Sequence, residues 1–170
     1  MTRVYAEKTA VPIEKSRAEI EGILRRHGCT AFGHRWSENM AVIEFVAHDR
    51  VVRFDLPLPP RDNFKKRKVR GFFVNATPDQ QSAAHDQACR QRWRALALAV
   101  KAKFEAIAAG ISEFEEEFLA YVVDPETRQT IGELLRPQIA ERYLGRQSGQ
   151  LLLAGPATGP TTRPDISEDD

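Results

Sequence analysis

The densest chemical signal in the chain is the run Lys65-Lys66-Arg67-Lys68-Val69-Arg70, followed at once by Gly71-Phe72-Phe73. Residues 61–70 carry six cations against the single acid Asp62, a local net charge of +5. A phosphate backbone is held by cations at this density, and neighbouring aromatic rings offer faces on which unpaired bases stack. Farther on, Arg90, Arg94 and Lys101 fall within roughly 40° of one another around a helix, with Arg92 and Lys103 as a second ridge beyond the same apolar stripe. The nucleic-acid-binding set read from these residues is Lys65, Lys66, Arg67, Lys68, Arg70, Arg90, Arg94 and Lys101 on phosphates. Phe72 and Phe73 stack on bases, and Trp36 is a further stacking candidate. The same cations also have a purely structural use, since long stems can cover the rim of a core while their heads stay in water.

Other chemistries have weaker support. His27 and Cys29 lie two apart, and His85 and Cys89 share one face of a helix at i, i+4. Together they would make a Cys₂His₂ set of tetrahedral type. Neither spacing is that of a zinc finger or ribbon, and the expectation is no metal and no other cofactor. Glu44 and Asp55, on neighbouring strands, would be the carboxylates of a metal-dependent nuclease. The chain has no G-x-S-x-G, Walker A loop, H-E-x-x-H or dinucleotide glycine fingerprint, so a non-enzymatic role is favoured.

The elements that must position these residues follow from periodicity. Ser16 and Glu19 have capping-box spacing ahead of Ile20, Ile23 and Leu24, and Gly28 ends that first helix. Phe32, His34 and Trp36, then Ala41, Ile43 and Phe45, then Val52, Phe54 and Leu56 alternate with other residues around two turns. Three such runs predict an antiparallel meander, closed by Pro57, Pro59 and Pro60. Residues 61–78 read as a long loop. Trp93, Leu96, Val100, Phe104 and Ile107 then mark one stripe of a helix over about 79–109, which Gly110 ends. Ser112 with Glu115 predicts a capping box for a shorter helix with Phe114, Phe118 and Val122 inward. Thr130 with Glu133 predicts one for a last helix with Ile131, Leu134, Leu135 and Ile139 inward and a bend at Pro137.

The chain has 170 residues, 42% hydrophobic and 29% charged, with a formal net charge of +1. These values suit one ordinary α+β domain, with residues 1–144 folded and 145–170 a flexible acidic tail. Near-neutral net charge argues against coating nucleic acid through bulk charge, so local clusters must carry any such role. Two cysteines make no disulfide framework, no signal-peptide pattern opens the chain, and no apolar run approaches the ~18 residues of a membrane span. A cytoplasmic protein without a membrane partner is the expectation. The tail combines Leu151-Leu152-Leu153 with a Glu168-Asp169-Asp170 end, which could engage a protein partner or compete for the basic surface.

The segment Arg90–Leu119, together with the strand ending Val51-Val52-Arg53-Phe54-Asp55-Leu56-Pro57-Leu58-Pro59, resembles an uncharacterised family encoded by phages and prophages. The resemblance covers most of residues 1–145 and implies a mobile-element setting of replication, recombination or counter-defence. In topology alone, helix, three antiparallel strands and long helix are similar to the core of single-strand annealing proteins, which bind single-stranded DNA and assemble into oligomers. The expected function is therefore single-stranded DNA binding or annealing, with a homo-oligomer as a possible assembly. The competing expectation is a protein-interaction module, an inhibitor or accessory factor, that uses the acidic helix start and the tail.

Overall fold

A computed structural model describes residues 9–145 of the chain. The order of elements is α1 (Ile13–Arg26), β1 (Ala31–Trp36), β2 (Met40–Ala47), β3 (Arg50–Pro57), β4 (Lys66–Val69), β5 (Phe72–Asn75), α2 (Pro78–Ala108), α3 (Phe114–Phe118) and α4 (Ile131–Tyr143). By packing, the chain divides into two compact units, 1–134 and 135–170. The fold is α+β, with the expected first helix, meander, long helix and two shorter helices all present.

The meander is a three-stranded antiparallel sheet in the order β1-β2-β3, in which Phe32 stands opposite Phe45 and Phe45 opposite Val52. His48 and Asp49 join β2 to β3 with positive φ of 49° and 59°, the left-handed pair that matches strand twist in a two-residue hairpin. One sheet face turns inward. Ala41, Ile43, Phe45 and Ala47 of β2 and Val52, Phe54 and Leu56 of β3 are buried. α1 adds Ile20, Ile23 and Leu24, and α2 adds Trp93, Leu96, Ala97, Val100 and Phe104. Phe118 lies edge-on to Phe45, with centroids 5.9 Å apart, and 5.0 Å from Phe104. Burying each such ring contributes about 1.5–3 kcal/mol.

In two cases the helix starts are not those the spacing suggested. α1 begins at Ile13 behind Pro12, a turn earlier than expected, so Ser16 lies inside the helix with its hydroxyl buried. Glu19 faces α2 instead of capping. In α3 the N-cap is Glu113, whose N–H donates to the Glu116 carboxylate at 3.0 Å, while the Ser112 hydroxyl donates to Glu117 at 2.8 Å. At α4 the expected box is present. The Thr130 N–H donates to Glu133 at 2.7 Å and the Glu133 N–H to Thr130 Oγ1 at 3.2 Å. A Cβ at Gly132 would sit 2.7 Å from the Ala120 carbonyl oxygen, so only glycine permits that approach.

The free edge of β3 is covered by an isolated bridge, Val123 N–H donating to the Val51 carbonyl at 2.8 Å. Ile131 and Leu134 are half-buried, whereas Leu135 and Ile139 are exposed, which corrects the four-residue inward stripe. Helical spacing reports a common face but not whether another element covers it. Among the described residues no helix is long and apolar enough to cross a membrane. The expected tail, including Leu151–Leu153 and Glu168-Asp169-Asp170, lies outside the described residues apart from Gly145.

Candidate nucleic-acid interface

Residues 61–78 do not form the featureless loop that their charge suggests. Arg61–Phe64 make a 3-10 turn, and β4 and β5 then pair as a separate two-stranded hairpin. Lys66 stands opposite Asn75, Arg67 opposite Val74, Lys68 opposite Phe73 and Val69 opposite Phe72. Arg70 and Gly71 form the turn with φ of 48° and 94°. A two-residue turn with both central residues left-handed is the one that continues the strand twist, and glycine is the residue that adopts it without strain. Because strand neighbours alternate between faces, Lys66, Lys68, Phe73 and Asn75 share one face and Arg67, Val69, Phe72 and Val74 the other.

The hairpin is anchored at its base. The buried Ala76 donates its N–H to the Lys65 carbonyl at 2.9 Å, and Phe64 meets the His85 ring edge-on at 5.8 Å. Thr77 caps α2 immediately after, its hydroxyl accepting from the Gln80 N–H. Beyond this base, Phe72 is 76% and Phe73 72% exposed. Lys66, Arg67, Lys68 and Arg70 are exposed and make no side-chain hydrogen bond or ion pair with another described residue. Lys65, by contrast, pairs with Asp62 at 2.8 Å. Two exposed rings and four cations that no described residue engages, on one short ribbon, are an unusual surface, since apolar side chains of this size are normally covered.

Among the cations of α2, Arg94 and Lys101 stand apart from this ribbon. Arg94 is ion-paired with Glu19 of α1, both side chains about a quarter exposed. Arg90 donates through Nε and a terminal nitrogen to the Gln87 amide oxygen at 3.2 and 2.8 Å. Lys101 is exposed, but it lies sixteen residues beyond His85, about 24 Å along a straight helix from the hairpin base. Lys103 donates to the Glu117 carbonyl at 2.7 Å and its carboxylate at 3.1 Å, and lies over the Phe118 and Tyr121 rings. A helical face shared along three turns also meets whatever packs beside it.

The alternative chemistries separate in the same way. The His85 ring lies 3.7 Å from Cys89 Sγ, but His27 stacks on Phe104 at 4.6 Å, fifteen residues and about 22 Å farther along α2. The two His–Cys pairs therefore do not meet, and the described residues hold no group of three or more potential metal ligands. Burial pushes both thiols above the ordinary cysteine range. On the outer sheet face Glu44 pairs with Arg35 at 3.0 Å and Asp55 with Arg53 at 3.4 Å. Arg53 also reaches Glu133 at 2.7 Å and the Arg128 carbonyl at 2.8 Å. These carboxylates hold arginines and knit the sheet to the α4 start. The acidic helix start is likewise engaged: Glu115 with Arg50 at 3.3 Å, Glu117 with Lys103 and Ser112.

No known protein family, curated protein or solved structure matches this chain. The functional reading therefore rests on the ribbon itself. Sequence inspection named its cations and rings but missed the strands. The signal was available, in Val69, Phe72, Phe73 and Val74 flanking a two-residue turn that contains glycine.

Proposed function

We propose that the protein binds single-stranded nucleic acid, single-stranded DNA in particular, through the β4–β5 hairpin, as a non-enzymatic accessory of phage-type recombination or replication in the cytoplasm. The observation that carries this reading is the coincidence, on one short ribbon, of four exposed cations that no other described residue pairs and two rings more than 70% exposed. Lys66 and Lys68 on one face, Arg67 on the other and Arg70 at the turn neutralise phosphates of a strand that passes around the ribbon, and Phe73 and Phe72, one on each face, stack on bases that a single strand leaves open. Arg94, tied to Glu19, belongs to the fold, and the exposed Lys101 lies too far along α2 for this contact.

Fluorescence anisotropy with a labelled oligothymidylate tests the assignment. Wild-type protein binds at low salt, and replacing Lys66, Arg67, Lys68 and Arg70 together by alanine weakens binding by on the order of a hundredfold with unchanged circular dichroism. Equal affinity in the two proteins removes the hairpin from the interface. Deleting residues 146–170 leaves the affinity in place; loss of association with a protein partner upon that deletion, with no oligonucleotide binding by either form, favours the interaction-module reading.

A further inference from the structure

The inner face of β1 carries Phe32, His34 and Trp36 at strand spacing, and their rings form a ladder. Phe32 and His34 are 6.0 Å apart, and His34 and Trp36 5.8 Å apart with planes inclined by only 5°. Trp36 at the end of this ladder is 69% exposed. Arg17 of α1 fixes its position from below. The guanidinium lies 5.6 Å from the Trp36 centroid and 5.9 Å from that of the buried Trp93, and it also hydrogen-bonds the His34 ring. Burial, then the Arg17 charge, lowers the His34 pKa against an opposing pull from Glu21, which keeps the ring neutral and able to accept from Arg17. An exposed indole adds little to the core, yet this one is held by a stacked ring and a cation.

A flat aromatic surface, pre-oriented and open to solvent beside a cation, has the chemistry that receives a nucleobase. Its place in the fold suits the same strand that the hairpin holds. Arg17 ties Trp36 to Trp93, and Trp93 is eight residues, about 12 Å, along α2 from His85 at the hairpin base. The four-residue strands of the hairpin add about 13 Å from that base to Phe72 and Phe73, so a strand held at both places spans several nucleotides. We propose that Trp36, clamped by His34 and Arg17, is a second base-stacking platform for the strand bound by the hairpin, an assignment that rests on the nucleic-acid reading above.

Protein labelled with fluorotryptophan reports Trp36 and Trp93 as separate fluorine resonances, assigned with Trp36→Phe. Titration with an oligothymidylate of about twelve nucleotides is expected to shift the Trp36 signal and leave that of Trp93. An abasic strand of equal charge binds the hairpin without moving Trp36. Trp36→Ala weakens oligothymidylate binding on the order of tenfold and leaves the abasic affinity unchanged. Binding of oligothymidylate with an unmoved Trp36 signal, an equal shift from the abasic strand, or unaltered affinity in Trp36→Ala overturns the platform while the hairpin reading stands. Should no oligonucleotide bind, the hairpin reading fails, and thymidine monophosphate alone decides the platform: a Trp36 shift retains it for free nucleotides and none removes it.

Discussion

At the scale of single residues, the structure separates cations that act outward from cations that act inward. Lys66, Lys68, Arg67 and Arg70 are exposed and pair with no other described residue, while Arg94, Arg53 and Lys103 are each bound to a carboxylate. Charge counting along the sequence treats both groups alike; only the presence of Glu19 on α1, seventy-five positions away, takes Arg94 out of the surface set. Arg94→Ala accordingly lowers stability by roughly 1–3 kcal/mol, because Glu19 is left part-buried without its partner. Oligonucleotide affinity stays at the wild-type value. Urea denaturation and anisotropy on the same sample check the two halves, and a stable variant that binds weakly would return Arg94 to the interface.

At the scale of elements, what was legible in the sequence tracks how local each cause is. The α2 stripe of Trp93, Leu96, Val100 and Phe104 and the alternation of β2 and β3 emerged from periodicity because one face of each is buried on the same core, to whose edge β1 adds only the half-buried Phe32. Thr130 with Glu133 was recognised as a cap since both partners lie within one turn. Ser16 was misread for the opposite reason: Pro12 starts α1 earlier, so an S-x-x-E spacing falls inside the helix. The hairpin stayed hidden because neither of its faces is buried and the alternation of apolar and polar residues is lost among cations. An isolated two-stranded ribbon is marginally stable, so its turn decides its order. Gly71, at φ 94°, has open space around it, and a side chain there meets backbone strain alone. Gly71→Val therefore costs the ribbon about 1–3 kcal/mol, enough to unpair it without touching the core. The expected outcome is an unchanged thermal midpoint with oligonucleotide binding weakened several-fold, through loss of the pre-set Phe72 and Phe73 rings.

At the scale of the whole molecule, acid sensitivity follows from the groups whose ionisation the fold perturbs. Hydrogen bonds from the Thr130 backbone, with Arg53 close by, hold Glu133 below the usual carboxylate range. The Thr127 backbone does the same for Asp124, and Ser112 and then Lys103 for Glu117. His34 is depressed by burial and Arg17. In every case the unfolded chain binds the proton more readily, so the stabilisation is present above the unfolded pKa and is lost as pH falls. His34 acts first, below about pH 6.5, and the carboxylates below about pH 4.3. Cys29 and Cys89, raised by burial, give the opposite sign, with stability retained below about pH 8.5 and lost as pH rises. Thermal midpoints across pH should thus form a plateau near neutrality with a two-step acid fall, the upper step absent in His34→Ala. A midpoint that rises on acidification would contradict these assignments.

The salt dependence of oligothymidylate binding measures most directly the contact between the four outward cations of the hairpin and phosphates. Four phosphate contacts predict a slope of about −3 for the logarithm of the association constant against that of salt concentration. The slope should fall close to zero when Lys66, Arg67, Lys68 and Arg70 are alanine. A wild-type slope near zero, or one that the four substitutions leave unchanged, would contradict it.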